Sequence, residues 1–218
     1  MASRGINIIL SLFLALSYFF PIAGQQLQEG DLLFCCTDSA NAITAVTSGV
    51  GSMPIDHVAV VHRIGGEDGQ LYVIEAIKPE VCLTPLDTFL CDNHLVILGR
   101  VNVDVDYSES IRRCLSMLGK PYDDLFLSGD SAIYCSELVQ LNFVTQAGNL
   151  VFDPVSMSFH DASGQVTDYW QEFYECRGMA VPEGAPGSNP GELSRRPQVT
   201  IIGTFISDGC DILFHIDQ

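Results

Sequence analysis

Two apolar runs rich in β-branched residues constrain the fold more than any other feature of the chain. They are HVAVVH at positions 57–62 and LYVIEA at positions 71–76, with the glycine-rich segment GGEDG between them. Runs of this kind joined by a short turn predict a β-hairpin. We expect these two strands and a third at 95–101 to pair consecutively in an antiparallel sheet. Further runs predict strands over LLFCC at 32–36 and QVTIIGTFI at 198–206.

The register of this hairpin decides whether His57 can meet Glu75. A turn centred on Gly66 places the two residues directly opposite each other. A turn centred on Glu67 leaves them diagonal on the same face, and a half-step slip puts them on opposite faces. Two of these three registers therefore allow a carboxylate to orient an imidazole, which is the support that a histidine base requires. The alternatives are a structural histidine at a strand end and a glutamate that faces solvent.

Helical periodicity is found in three segments. The segment DYSESIRRCLSMLG at 106–119 has apolar residues on one helical face and a glycine as its stop signal. The segment CSELVQLNFV at 135–144 begins a second helix, and a shorter helix is predicted within SANAITAVTS at 39–48. On one face of the second helix lie Cys135, Leu138, Val139 and Asn142.

The first 24 residues have the pattern of a secretory signal peptide. Arg4 precedes an apolar run at 6–20, and small residues follow at positions 23 and 24. An N-terminal membrane anchor is the alternative, but the run is shorter than the roughly 20 apolar residues that span a bilayer. We therefore predict an exported protein, periplasmic or secreted, with one domain at 25–218 and no stable membrane insertion after signal cleavage.

Composition narrows the range of partners. The chain has 27 acidic and 10 basic residues and a formal net charge of −17. Phosphate backbones and anionic lipid surfaces are repelled by such a chain, so we expect no nucleic-acid partner. The length suits one domain with a sizeable core. The sequence after residue 152 is loop-rich, with its clearest coil at 182–197, and we assign it to the same domain because a strand follows it.

Eight cysteines in an exported chain suggest disulfide bonds, but their spacing does not identify the pairs. Cys35 and Cys36 are adjacent in a predicted strand, so their side chains point to opposite faces and cannot easily bridge each other. The sequence contains no CxxC pair and no His/Cys metal pattern, and we predict no structural zinc site. If Cys135 is a free thiol, the other seven cysteines cannot all pair within the chain.

Cys135 opens the second predicted helix, in the stretch YCSELV. The unpaired backbone N–H groups and the dipole of a helix start stabilise negative charge, which favours a thiolate. A thiol nucleophile also needs a base and a group that orients the base, for which His57 and Glu75 are the candidates. The alternative is an inert cysteine on the core face of the helix. Sequence spacing alone does not decide whether this helix packs against the histidine strand.

The segment LGKPYDDLFLSGDSAIYCSELV at 118–139 resembles the nucleophile region of NlpC-type cell-wall peptidases. The histidine run DHVAVV precedes the cysteine, and this order resembles the circularly permuted branch of the papain-like fold, the YiiX-like cysteine peptidases or amidases. GDLLF, IEA and the late run YWQEFYECRGMAVPEGAPGSNPGELS agree, so the resemblance covers about residues 29–204. It implies an α+β fold of the papain-like, permuted NlpC type. An antiparallel sheet or small barrel would pack on helices, with the nucleophile at a helix N-terminus.

Carried over by position, the resemblance implies that Cys135 is the nucleophile, His57 its base and Glu75 the residue that orients the base. Such a triad needs no metal or organic cofactor. The implied function is that of an exported cysteine peptidase or amidase, a thiol hydrolase that cleaves an amide bond. Cell-wall peptides are the first substrate class, and N-acyl amino acids or lipid amides are the second. The alternatives are an acyltransferase of the lecithin:retinol acyltransferase type and a non-catalytic peptide-binding module.

Five further positions enter through the same resemblance. Tyr122 matches the tyrosine of the G-x-x-Y turn and would line the site, donating to the oxyanion. Tyr134 and Ser136 flank the nucleophile and would bind substrate or oxyanion. Asp56 and Ala59 depart from the family pattern, in which a small polar residue and a glycine are usual. These departures change the surroundings of the histidine without removing any member of the implied triad.

Overall fold

The computed structural model describes residues 27–129, 131–208 and 211–216. The predicted signal peptide at 1–24 lies outside the described residues. The strands are β1 (Leu32–Cys36), β2 (Ile55–Ile64), β3 (Gln70–Ala76), β4 (Val81–Pro85), β5 (Leu95–Val101), β6 (Val155–Ser156), β7 (Pro186–Gly187), β8 (Val199–Asp208) and β9 (Asp211–Ile216). The helices are α1 (Leu86–Asp92), α2 (Tyr107–Ser116), α3 (Cys135–Asn142), α4 (Asp168–Glu175) and α5 (Pro190–Ser194).

An antiparallel sheet of seven strands dominates the fold, in the order β4-β3-β2-β1-β5-β8-β9. The β2–β3 hairpin is the one predicted from the two apolar runs. The predicted pairing of the 95–101 strand with the hairpin is wrong, because β5 lies between β1 and β8. The far edge of β3 is instead occupied by β4, a strand that the mixed segment VCLTP did not predict.

Both faces of the sheet are covered by apolar side chains. One core cluster includes buried residues of α2, α3 and α5, and the other includes buried residues of α1. Helix α1 contacts β3 and β4 at one edge and also β8 and β9 at the other, so the sheet curls around it. Cys36 belongs to the first cluster and Cys35 to the second, as the alternation of a strand requires.

The two longer predicted helices form close to their expected limits. Asp106 caps α2 by accepting from the backbone N–H of Glu109 at 3.0 Å, and α3 begins at Cys135. The predicted short helix at 39–48 is wrong, since residues 42–46 form turns. The Asn41 side chain accepts from the N–H groups of Ile43 and Thr44, a local bond that competes with helix.

The late segment contains more regular structure than its composition predicted. Helix α4 brings Trp170 and Tyr174 against Met157 and Phe159 in a small aromatic cluster. Asn189 caps α5, with Pro190 in the first turn, and α5 packs on β1, β2 and β8. The segment predicted as coil therefore returns to the sheet beside the N-terminus of α3. Within the described ranges, no helix is both long and apolar enough to cross a bilayer.

Candidate active site

The β2–β3 hairpin brings His57 and Glu75 into contact. Its ladder pairs Val60 with Ile74 and Ile64 with Gln70, which centres the turn on Glu67 and leaves His57 and Glu75 diagonal on one face. Nε2 of His57 donates to Oε2 of Glu75 at 2.8 Å. Their side chains are 19% and 6% exposed, so the pair is largely shielded from water. The hairpin has adopted one of the two registers that allow this contact.

Cys135 is brought to the same place by helix α3. The helix packs on β2 and β3, the strands of the hairpin, and its first residue is Cys135. The Cys135 side chain lies close enough to the imidazole of His57 to raise the pKa of that ring. The thiol thus lies at a helix start, where free backbone N–H groups and the helix dipole favour negative charge. This packing of helix on hairpin is the step that sequence spacing could not supply.

The hydrogen bonds of His57 set its charge. Burial alone would lower the pKa of the imidazole, but the bonds to Cys135 and to Glu75 raise it to about 10. Burial would likewise raise the pKa of Glu75, but the hydrogen bond and charge of His57 and a bond from Thr84 lower it. At neutral pH the contacts therefore favour an imidazolium held between a carboxylate and a sulfur atom.

Glu137 fixes the start of α3, a role that the sequence did not reveal. The N-cap residue Tyr134 makes no side-chain capping bond, and its backbone N–H donates to the carboxylate of Glu137, three residues on. This is one half of a capping box. Glu137 is 2% exposed, and among the described residues its Oε2 has no hydrogen-bond partner. Burial and the charge of Asp123 raise its pKa to about 7.

Tyr122, Tyr134 and Ser136 all lie close to Cys135, but they differ in what their hydroxyl groups do. Burial, followed by the charge of Cys135, raises the pKa of Tyr122, which keeps its phenol protonated near the sulfur. The hydroxyl of Tyr134 accepts from the backbone N–H of Ser188 at 3.1 Å, and that of Ser136 accepts from the Ser188 hydroxyl at 3.1 Å. Two of the three hydroxyls therefore hold the Ser188 loop against α3.

A narrow inner slot opens beside Cys135. It encloses about 50 Å³, and Cys135, Tyr134 and Ser136 contribute to its wall. The rest of the wall is mainly apolar and includes Ile43, Val46, Phe126, Met157, Phe159 and Trp170. A wider outer cleft of about 400 Å³ adjoins it across Ile43, Phe126 and Trp170, which line both spaces. The outer cleft adds Tyr122 and the polar side chains of Asn41, Lys78 and Asp124.

Comparison with known proteins gives the family. Residues 26–203 match the family model described as permuted papain-like amidase enzyme, YaeF/YiiX, C92 family. The chain belongs to this family. As a permuted papain-like amidase it is a thiol hydrolase, a cysteine amidase or peptidase, and the resemblance noted in its sequence is confirmed. A search of curated proteins found no match.

The fold of this permuted papain-like amidase is also seen in a solved structure. The crystal structure of the metalloprotein YiiX from Escherichia coli O157:H7 superposes with a TM-score of 0.65 at 24% sequence identity. The match covers 81% of this chain and 97% of the YiiX chain. The likeness shows the fold, and it confirms the predicted α+β class with an antiparallel sheet packed on helices.

Most cysteines of the permuted papain-like amidase are free thiols in the structure. Free thiols are found at Cys35, Cys36, Cys82, Cys114, Cys135 and Cys176. Cys210 lies outside the described residues. In the part of the chain that the structure describes, no group of three or more His, Cys, Asp or Glu side chains is arranged to hold a metal ion.

Proposed function

We propose that this protein is an exported amidase whose nucleophile is Cys135, whose base is His57 and whose orienting carboxylate is Glu75. One observation carries the proposal, the continuous line of contacts from the Cys135 side chain at the start of a buried helix through the imidazole of His57 to Glu75. A nucleophile, a base and an orienting group in contact are the parts that covalent acyl transfer requires.

The reaction begins from the charge state that these contacts favour. With His57 as imidazolium, Cys135 attacks the amide carbonyl as a thiolate, and the carbonyl oxygen gains the negative charge. His57 then gives its proton to the departing amine nitrogen, which breaks the C–N bond and leaves a thioester on Cys135. Water, deprotonated by His57, adds to the thioester carbonyl, and cleavage of the C–S bond releases the acid and restores the thiolate of Cys135 beside the imidazolium of His57. Glu75 keeps the ring oriented through both transfers.

The oxyanion is stabilised by two donors in this mechanism. The backbone N–H of Cys135 lies in the first turn of α3, where it has no helical acceptor. The Tyr122 phenol is the second, and its raised pKa, caused first by burial and then by the charge of Cys135, supports a protonated donor. Tyr134 and Ser136 contribute to the wall of the substrate site, and their hydroxyls hold the Ser188 loop.

The apolar inner slot favours N-acyl amino acids or lipid amides as substrates. Phe126, Met157 and Trp170 offer no charge to a peptide backbone but remove the first carbons of an acyl chain from water. The amine part of the substrate would then occupy the outer cleft, whose rim carries Asp124 and Lys78. A cell-wall peptide is the competing substrate class, and the second experiment below separates the two.

Alkylation with iodoacetamide tests the proposed nucleophile without knowledge of the substrate. At pH 6 we expect Cys135 to be labelled about tenfold faster than the exposed Cys176, because only a thiolate reacts readily. His57→Ala should remove this advantage and leave the labelling of Cys176 unchanged, which makes Cys176 the internal reference. Equal labelling of the two cysteines in the wild-type protein would overturn the proposal.

A substrate panel tests the acyl assignment. N-acyl amino acids of increasing chain length and cell-wall cross-bridge peptides are incubated with the wild-type protein and with Cys135→Ala. We expect amine release from the acyl substrates, rising with chain length until the slot is filled, and no release by the variant. Preferential cleavage of the peptides would assign the site to the cell wall instead. Transfer of the acyl group to an added amine would identify an acyltransferase.

Export is the remaining part of the proposal and rests on the signal-like residues 1–24. It implies that the mature enzyme is a single domain beginning near residue 25. N-terminal sequencing of the full-length chain expressed in a bacterial host, after fractionation, checks this. We expect a periplasmic or secreted product that starts near residue 25, and an uncleaved cytoplasmic product would contradict it.

A further inference from the structure

Glu75 is held at both of its oxygens, and the second contact comes from outside the proposed triad. Oε2 accepts from His57, while Oε1 accepts from the hydroxyl of Thr84 at 2.5 Å. Thr84 belongs to β4, where Val73 is paired with Thr84 and Glu75 with Cys82. Thr84 is therefore the diagonal neighbour of Glu75 across the edge of the sheet. The line of contacts that starts at Cys135 continues through Glu75 to this strand.

We propose that Thr84 is a positioning residue of the active site, which fixes the Glu75 carboxylate so that Oε2 points at His57. The proposal rests on the triad proposed above and adds a fourth member to it. Thr84 acts through Glu75 and lies outside both the inner slot and the outer cleft as they are lined here.

The physical reason lies in the freedom of a glutamate side chain. The last torsion of glutamate, which turns the carboxylate plane, has a broad minimum and does not hold one orientation. A donor on each oxygen fixes that plane, and an ionised carboxylate accepts only, so Thr84 must be the donor of its bond. Glu75 is 5% exposed, so water is poorly placed to replace a missing donor. The bond from Thr84 is also among the causes that lower the pKa of Glu75.

Removing the Thr84 hydroxyl should therefore change the properties of His57 and Cys135, on which Thr84 acts through Glu75. In Thr84→Val, Oε1 of Glu75 loses its donor, the carboxylate turns, and its bond to His57 weakens. We expect the pKa of His57, measured by NMR titration of the ring, to fall by about one unit. The alkylation of Cys135 at pH 6 should slow by up to about tenfold, because an imidazolium that Glu75 no longer holds in place stabilises the thiolate less. Neither measurement requires the natural substrate.

Three matched variants separate positioning from a general loss of packing. Thr84→Ser keeps the hydroxyl, so the pKa of His57 should stay at its wild-type value and the alkylation rate should lie within about twofold of wild type. Thr204→Val makes the same chemical change at a half-buried position of β8, away from Glu75, and should leave both unchanged. Valine suits a strand, so Thr84→Val should fold, and Thr84→Ala makes the same deletion if it does not. Thermal unfolding checks the fold of each variant.

A double-mutant cycle with Glu75→Gln gives the decisive outcome. If Thr84 acts through Glu75, Thr84→Val should add nothing once Glu75→Gln is present. Additive effects, an unchanged pKa of His57 in Thr84→Val, or a Thr84→Ser variant as slow as Thr84→Val would each overturn the role of Thr84. These results leave the proposed function standing as long as Glu75→Gln itself slows alkylation. A wild-type Cys135 without enhanced reactivity would instead refute the triad.

Discussion

Two buried glutamates near Cys135, Glu75 and Glu137, have pKa values shifted in opposite directions. Glu75 is 5% exposed and Glu137 is 2% exposed, so both are withdrawn from water to a similar degree. Glu75 has donors on both oxygens, and its pKa is lowered despite burial. Glu137 has an unpartnered Oε2 and the negative charge of Asp123 nearby, and its pKa is raised to about 7.

The difference shows that partners, and not burial, decide the charge of a carboxylate in this site. Burial raises the pKa of both groups, and only the groups around them differ. The carboxylate that faces His57 is kept ionised, which suits the orientation of an imidazolium. The carboxylate inside the first turn of α3 is about half protonated at pH 7 and acts through its bond to the Tyr134 backbone. If this division of roles is right, substitution of Glu75 should affect catalysis and substitution of Glu137 should affect stability.

The largest expected effect is on catalysis, from the loss of the ionised carboxylate. Glu75→Gln preserves shape but removes the charge that supports the imidazolium, so we expect kcat to fall roughly 100- to 10,000-fold. The pKa of His57 should fall with it, because Glu75 is among the groups that raise it. Initial rates on the best acyl substrate and NMR titration of the ring provide the measurements. Glu67→Gln, in the exposed turn of the same hairpin, is the control and should retain full activity.

The same substitution at the second glutamate, Glu137→Gln, should affect stability and spare the chemistry. In the folded state the pKa of Glu137 is raised from 4.5 to about 7. The folded protein therefore holds a proton that the unfolded chain releases, and stability falls as pH rises from about 4.5 to 7. At pH 8 the penalty is at most about 3 kcal/mol. Glu137→Gln removes this titration and keeps an acceptor for the Tyr134 N–H.

Urea unfolding of wild type and Glu137→Gln at pH 4.5 and pH 8 measures the effect. The difference in free energy of unfolding between the two proteins should shift towards the variant by up to about 3 kcal/mol between these pH values. Glu137→Ala should lose stability at both, because it also removes the capping bond. A large loss of kcat in Glu137→Gln would mean that this carboxylate takes part in the chemistry and that the division of roles is wrong.

A smaller effect on the free energy of unfolding is expected from loss of the Tyr134 hydroxyl, a neutral group near Glu137. The Tyr134 hydroxyl accepts from the buried backbone N–H of Ser188, so Tyr134→Phe leaves that donor without its acceptor. We expect a loss of about 1–3 kcal/mol in the free energy of unfolding, the same at pH 5 and pH 8. Ser136→Ala, which deletes only the partner of the Ser188 hydroxyl, should cost less. A pH-dependent loss in Tyr134→Phe would contradict the assignment of the titration to Glu137.

The sequence predicted the role of Glu75 better than that of Glu137. The alternation of two apolar runs limited His57 and Glu75 to three registers, and helical spacing predicted that α3 begins at Cys135. Both are local patterns with a short period. Glu137 escaped prediction because its capping partner is a backbone N–H of Tyr134, a residue whose side chain gives no capping signal.

The remaining misses depend on contacts between distant parts of the chain. Thr84 lies in β4, a short strand of mixed polar and apolar residues that is defined by its pairing with β3, and no local sequence pattern predicts this strand. Helices α4 and α5 lie in a segment with the composition of a loop and gain their stability by packing against the aromatic cluster and the sheet. The helix start and the small set of possible registers can thus be predicted from sequence here, whereas the choice of register and the supporting contacts could not.

The smallest expected effect comes from a third glutamate, Glu109. Its pKa is lowered, but we expect this shift to contribute little to stability. Hydrogen bonds from Arg112 and Arg113 lower the pKa of Glu109 to about 2, and the opposing effect of desolvation is smaller. In isolation such a shift would add stability above the ordinary pKa and lose it as pH falls towards 2. Glu109 lies on the outer face of α2 in contact with water, so solvent and salt screen most of that contribution.

We therefore expect Glu109→Gln to leave kcat and the unfolding midpoint in urea unresolved from wild type at pH 7 and moderate salt. Unfolding at low and high salt, in both proteins, is the measurement, and any small loss should disappear at high salt. The acidic cap Asp106 is unchanged in this variant, so the helix start is not disturbed. A salt-independent loss as large as the gain in Glu137→Gln would show that exposure does not discount an ion pair here. In that case the partners of a carboxylate, whether or not it is buried, would determine how much it contributes to the free energy of unfolding of this protein.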